Sequence, residues 1–144
     1  SIKEEVPTDY FTIEIGKANI VRSGSKASVI TYGMGVHWAK EIADRNNLDV
    51  EILDLRTLLP MDMDAIYATV KKTHRAIILH EDCLTGGIGG EVSALITENC
   101  FEYLDAPVMR EGSLDTPVPF QDDLEKNFMP KDRFEAKLMR LLNY

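Results

Sequence analysis

Cysteine is scarce: Cys83 and Cys100 are the only two in 144 residues. They form no CxxC pair and stand in no Cys/His ligand cluster, so neither a zinc site nor a disulfide framework is expected. Two free thiols in a reducing compartment is the expected state. Long apolar runs are also missing. No stretch approaches the ~20 residues that cross a bilayer, and no secretory leader pattern is seen. A membrane partner is therefore not expected. Basic charge is in deficit, with 16 Lys+Arg against 24 Asp+Glu and a formal net charge of −8. Nucleic acid backbones demand clustered Lys and Arg. No such run occurs along the chain, so nucleic acid is excluded as a partner. An acidic surface suits solubility or a basic protein partner. No Ser/His/Asp or Cys/His nucleophile set stands out, so no residue is assigned a catalytic, cofactor-binding or metal-binding role.

What is present is an alternation of strands and helices. Ser28–Tyr32 and Ala76–His80 read SVITY and AIILH, apolar runs of the kind buried on both faces of a sheet. Val50–Leu55 and Pro107–Arg110 read as further strands. Helices are expected over Val36–Arg45, from a cap at Asp62 to about Lys72, over Glu91–Phe101, over Phe120–Asn127 and over Lys131–Leu142. Strands alternating with helices of about ten residues predict a parallel sheet with right-handed crossovers. Gly16–Arg22, GKANIVR, adds one more strand. Its short link through Ser23-Gly24-Ser25 predicts an antiparallel edge pairing with SVITY. The expected fold is a three-layer α/β/α domain with a mostly parallel five-stranded sheet and one antiparallel edge strand. Residues 1–12, polar and beginning with Ser1 instead of Met, read as a linker from an upstream domain. Residues 13–144 read as the domain itself.

Three motifs carry possible chemistry. Gly33-x-Gly35 after a strand, with Asp54 about twenty residues on, resembles part of a dinucleotide fingerprint. Trp38 stands where the third glycine belongs, so a plain strand-to-helix turn is the preferred reading. Thr85-Gly86-Gly87-Ile88-Gly89-Gly90 has the form of an anion-binding loop before a helix. Glu91 follows in place of the phosphate-binding Lys, so nucleotide hydrolysis is not expected. Close approach of another backbone or subunit explains these glycines better. His80-Glu81-Asp82 ends a strand at the sheet edge where ligands usually bind. Side chains alternate along a strand, so the three cannot converge on one centre. A hydrogen-bonded cluster at a turn or an interface is the expected role.

Four segments, taken in order, resemble one family. They are DLRTLLPMD at Asp54–Asp62, HEDCLTGGIGGE at His80–Glu91, FEYLDAPVMREGSLDTPVPF at Phe101–Phe120 and LEKNFMP at Leu124–Pro130. Together they resemble the C-terminal, transketolase-type domain of the beta chain of thiamin diphosphate-dependent 2-oxo acid dehydrogenases. The resemblance runs from about residue 13 onward. It implies a full enzyme that decarboxylates a 2-oxo acid with thiamin diphosphate and Mg²⁺ and passes the acyl group to a lipoyl arm. It implies that the cofactor sits between other domains, so none is expected in this one, and that this domain alone is inactive. The implied partners are the subunits of a homodimer or an alpha/beta heterotetramer, and the small basic subunit-binding domain of the dihydrolipoyl acyltransferase. His80, Glu81, Thr85, Gly86, Gly87, Gly89 and Gly90 are the candidate subunit contact. Glu102, Asp105 and Tyr144 with its carboxylate are the candidate docking patch. The implied location is the cytoplasm of a bacterium or the mitochondrial matrix of a eukaryote. Cys83-Leu84 departs from common members and leaves the substrate open. Two alternatives stand beside this reading: a free nucleotide- or dinucleotide-binding module on Gly33, Gly35 and Asp54, and a domain of another thiamin enzyme, such as transketolase or a 2-oxo acid–ferredoxin oxidoreductase.

Overall fold

The computed structural model describes residues 5–144. The linker expected over residues 1–12 lies partly outside them; residues 5–12 are exposed and carry no helix or strand. The elements are β1 (Asn19–Arg22), β2 (Ala27–Thr31), α1 (Met34–Arg45), β3 (Val50–Asp54), α2 (Met63–Thr73), β4 (Ala76–Cys83), α3 (Ile88–Cys100), a 3-10 turn (Phe101–Tyr103), β5 (Met109–Ser113), α4 (Asp122–Phe128) and α5 (Lys131–Leu142). They form one five-stranded sheet in the order β1-β3-β2-β4-β5. β2, β3, β4 and β5 run parallel, and β1 is the antiparallel edge strand.

The strand periodicity of two divides each central strand between two cores. Val29 of β2, Ile52 of β3, and Ile77 and Leu79 of β4 face α1 and α5, where Ile42, Phe134 and Leu138 complete the first core. Ile30, Leu53 and Ile78 face the other way, toward Ile66 and Val70 of α2 and Val92 and Ile96 of α3. Burying each such side chain is worth roughly 1.5–3 kcal/mol. This two-sided burial is why SVITY and AIILH read as continuous apolar runs. Asp62 caps α2 by accepting from the Ala65 amide at 3.1 Å and also accepts from the Ala18 amide at 3.1 Å, which ties the start of β1 to α2. α2 ends at His74, whose φ of 62° closes the helix in the left-handed conformation.

The architecture matches the expectation, with corrections in detail. β1 pairs with β3, not with β2. β2 is central and already holds β3 and β4 on its two sides, so it has no free edge. The Ser23-Gly24-Ser25 link instead crosses the start of β3. There the Ser25 amide donates to Asp49 at 3.0 Å, and a Cβ on Gly24 would lie 2.1 Å from the Val50 carbonyl carbon. β5 begins two residues later than expected and runs through Glu111 and Ser113, both buried. α3 begins at Ile88, three residues before the expected Glu91; Gly89 and Gly90 in its first turn weigh against a helix in isolation, so the sequence pattern places the start too late.

β5 is the second edge strand, and α5 closes it. Lys137 donates to the Arg110 carbonyl at 2.8 Å and Arg133 to the Gly112 carbonyl at 2.9 Å. Cations from a packed helix thus occupy the acceptors that an exposed edge would offer to another strand.

Candidate interface site at the end of the fourth strand

β4 carries His80 into the interior, where its ring is 0% exposed. Nδ1 lies 3.0 Å from the Asp82 carbonyl oxygen. A carbonyl only accepts, so Nδ1 bears the proton and Nε2 is left as a bare acceptor. Nε2 has no hydrogen-bond partner among the described residues. Burial pushes the imidazole below its ordinary value, so the ring is neutral near pH 7. Three glycines make room for it. A Cβ would lie 2.7 Å from Cε1 at Gly87, 2.5 Å from Nε2 at Gly89 and 2.8 Å from Cε1 at Gly112, all closer than van der Waals contact allows. The glycine loop thus answers a demand from within the chain: α3 can start against β4 only because Gly87 and Gly89 carry no side chain.

Of the residues expected at a subunit contact, His80, Gly87 and Gly89 are therefore buried inside the chain. Gly90 is half-buried, and Glu81, Thr85 and Gly86 are exposed. A second loop braces the exposed part. Thr85 donates to Asp115 through its amide at 2.9 Å and its hydroxyl at 2.6 Å. The Thr85 hydroxyl bond is the main cause holding the Asp115 carboxyl below its usual range. Arg110 donates to the Leu84 carbonyl at 3.2 Å, and the Cys83 thiol lies 3.3 Å from the Leu114 carbonyl. The charges of Glu81 and Asp82 also act on the phenol of Tyr32, which follows β2. Burial first, then the charges of Asp82 and Glu81, raise the Tyr32 phenol. Among the described residues no group of three or more His, Cys, Asp and Glu could hold a metal ion.

The residues of the partial dinucleotide fingerprint are engaged in packing and turns. A Cβ on Gly35 would lie 2.1 Å from the Thr31 hydroxyl, so this glycine lets α1 start against β2. Asp54 accepts from the Arg56 amide at 3.0 Å and shapes its own turn. Trp38 packs against the first core.

The candidate docking residues separate into two neighbourhoods. Glu102 and Asp105 are both exposed, and Asp105 lines a hollow with Phe101, Leu104, Pro107 and Val108. Tyr144 is 52% exposed, and its hydroxyl accepts from Arg140 at 3.4 Å. Around it lie Arg110 and Lys137 as well, so its surroundings are cationic, in contrast to the acidic patch expected there. The two hollows meet at Pro107. Sequence reasoning also missed Gly112. Its signal was an isolated glycine inside a strand, which marks close approach of another group.

The family described as Transketolase, C-terminal domain, matches residues 16–133. The chain belongs to this family. Among relatives of this transketolase C-terminal domain, the 2-oxoisovalerate dehydrogenase subunit beta of Pseudomonas aeruginosa is 46% identical over 115 residues, covering 80% of this chain and 33% of the relative. The pyruvate dehydrogenase E1 component subunit beta of Bacillus subtilis is 42% identical over 123 residues, covering 83% of this chain and 38% of the relative. The domain thus spans between a third and two fifths of the length of these relatives. Among solved structures, an inactive beta4 tetramer of a split-gene transketolase superposes with a TM-score of 0.77 at 20% identity, over 97% of this chain and 46% of that one. That likeness carries the fold alone.

Proposed function

We propose that this domain is the assembly and docking part of the decarboxylating component of a 2-oxo acid dehydrogenase complex. In this reading the full enzyme is a thiamin diphosphate-dependent oxidoreductase that hands its acyl group to lipoyl arms. The observation that carries the reading is the 46% identity to a 2-oxoisovalerate dehydrogenase beta subunit across 80% of the chain. The glycine loop before α3 does not fit the cofactor's diphosphate. A diphosphate needs open helix-start amides, and the loop before α3 is packed against the His80 ring and followed by Glu91. No catalytic step is therefore routed through this domain, and the cofactor is assigned to the remainder of the enzyme.

What the domain contributes is surface. Glu81 at the end of β4, with Thr85 and Gly86 in the braced loop after it, forms an exposed surface suited to a subunit contact, within a homodimer or an alpha/beta heterotetramer. Asp105 presents a carboxylate at an apolar hollow and the exposed Glu102 follows Phe101 of its lining in sequence, which suits a small basic domain such as the subunit-binding domain of a dihydrolipoyl acyltransferase. Titration calorimetry with that basic domain tests the reading. Saturable binding that weakens with salt is expected, and joint Glu102→Lys and Asp105→Lys reversal should weaken it by about tenfold. Unchanged affinity and salt dependence in the double variant would remove the docking assignment.

A further inference from the structure

The chain is acidic overall, yet one face of it is not. Arg133, Lys137 and Arg140 recur at four and three residues along α5, so they share one side of that helix. β5 sets Arg110 beside them. Lys137 and Arg140 line two adjoining hollows. One, of about 540 Å³, extends toward Leu84, Leu114 and Ala136. The other, of about 210 Å³, extends toward Pro107, Met109 and Tyr144. Joined through the shared pair, they make one trench along the β5 edge, with apolar stretches between charged walls.

Four cations, Arg110, Arg133, Lys137 and Arg140, share this trench with the side-chain carboxylates of Glu111 and Asp115 and with Tyr144, which carries the terminal carboxylate, so the cations remain in excess by one. Glu111 is 5% exposed at its side chain and held between Arg133 at 3.2 Å and Lys137 at 2.5 Å. Asp115 is turned onto Thr85. Neither Arg110 nor Arg140 has a carboxylate partner among the described residues. A cationic surplus in a chain of net charge −8 draws an anionic partner to this face and away from the rest. The β5 edge is capped by Arg133 and Lys137, so an occupant is not taken up as an added strand. Side-chain charge and the apolar floor must hold it instead. The cations are spread over seven residues of helix, about 10 Å, which a single phosphate or carboxylate cannot bridge.

We infer that this trench seats an extended acidic segment of a partner polypeptide, with carboxylates alternating with apolar side chains. The inference is independent of the acyltransferase reading, whose partner is basic. Fluorescence anisotropy with a labelled peptide of alternating Glu and Leu tests it. Saturable binding that weakens as salt rises is expected. Arg140→Glu should weaken it at least about fivefold; Arg140 is exposed, and its only side-chain hydrogen bond among the described residues goes to Tyr144. Lys26→Glu, the same charge change at an exposed residue just before β2, should alter binding by less than about twofold. Equal losses in both variants would mean bulk attraction and overturn the site. Full competition by inorganic phosphate or free glutamate at matched charge would mean a free-anion site and overturn the polypeptide occupant. Arg140→Glu should leave binding of the basic acyltransferase domain unchanged or stronger, so failure of one reading is distinguishable from failure of the other.

Discussion

The two ends of the parallel sheet treat most of their buried polar groups differently, with Arg75 Nε, unpartnered among the described residues just before β4, the exception at the N-terminal end. At the N-terminal end, Ser28 of β2 shares hydrogen bonds with Thr69 at 2.7 Å and Thr73 at 2.6 Å. Thr69 also donates to the buried Glu51 at 2.6 Å, and Lys72 closes the network on the other carboxylate oxygen. At the C-terminal end, the hydroxyls of Thr31 and Ser113 and Nε2 of His80 are buried with no hydrogen-bond partner among the described residues. They end β2, β5 and the core-facing part of β4. Satisfied polar groups stabilise, and unsatisfied ones cost roughly 1–3 kcal/mol each. The C-terminal edge of an open α/β sheet is also where such folds place their functional contacts. The N-terminal end is the better satisfied, while the other tolerates more cost to hold the end of β4 with the exposed Glu81 and the loop with the exposed Thr85.

The sharpest way to break that comparison is to fill the His80 cradle. Gly89→Leu places a side chain where even a Cβ lies 2.5 Å from Nε2 and 3.3 Å from Ile78. Overpacking of this kind should cost about 3 kcal/mol or more, read from urea denaturation midpoints. If the ring is the obstacle, His80→Ala combined with Gly89→Ala should recover part of what Gly89→Ala alone loses. At the opposite end, Glu51→Ala strips the acceptor from Thr69 and Lys72 and should cost about 1–3 kcal/mol. Equal tolerance of both changes would erase the distinction between the ends.

Acid should find the C-terminal end first. The folded state holds His80 below its ordinary value of 6.5, so the unfolded chain binds the extra proton more readily. Stability is then full above that ordinary value and falls as pH drops below it, at up to about 1.4 kcal/mol per pH unit, until the folded value is reached. His80→Gln should flatten the profile below pH 6.5 relative to the parent. An unchanged slope in that variant would mean other groups set the acid sensitivity.

How much of this could be read from the sequence follows from how local each signal is. β2 and β4 are legible because two-sided burial writes an apolar run, and Asp62 because a cap lies within three residues of the amide it serves. β5 is displaced from its expected span because Glu111 and Ser113 are polar yet buried, and only the cations of α5 explain Glu111. The partner of β1 depends on a link that crosses β3, which no local pattern records. The His80 cradle draws on Gly87 and Gly89 from one segment and Gly112 from another, so the glycine loop read as an approach for a different chain. The sign of charge at Tyr144 failed for the same reason: Arg110 comes from β5, Lys137 and Arg140 from α5, and no run of basic residues announces them.

The finest comparison uses one substitution at both ends. Thr→Val removes a hydroxyl and keeps the shape. Thr69→Val loses the hydrogen bonds to Ser28 and Glu51 and leaves a buried carboxylate oxygen without its donor, which should cost about 1–2 kcal/mol. Thr31→Val removes a hydroxyl that has no partner and sits against Gly35. Nothing is lost there except the desolvation of an unsatisfied group, so the change should be neutral or stabilising by up to about 1 kcal/mol. Thermal midpoints of the two variants, measured side by side, should therefore move in opposite directions or by clearly different amounts. A loss at Thr31 as large as at Thr69 would mean that its hydroxyl is engaged, by a bound water or by a neighbouring subunit, and that the C-terminal end is as well satisfied as the other.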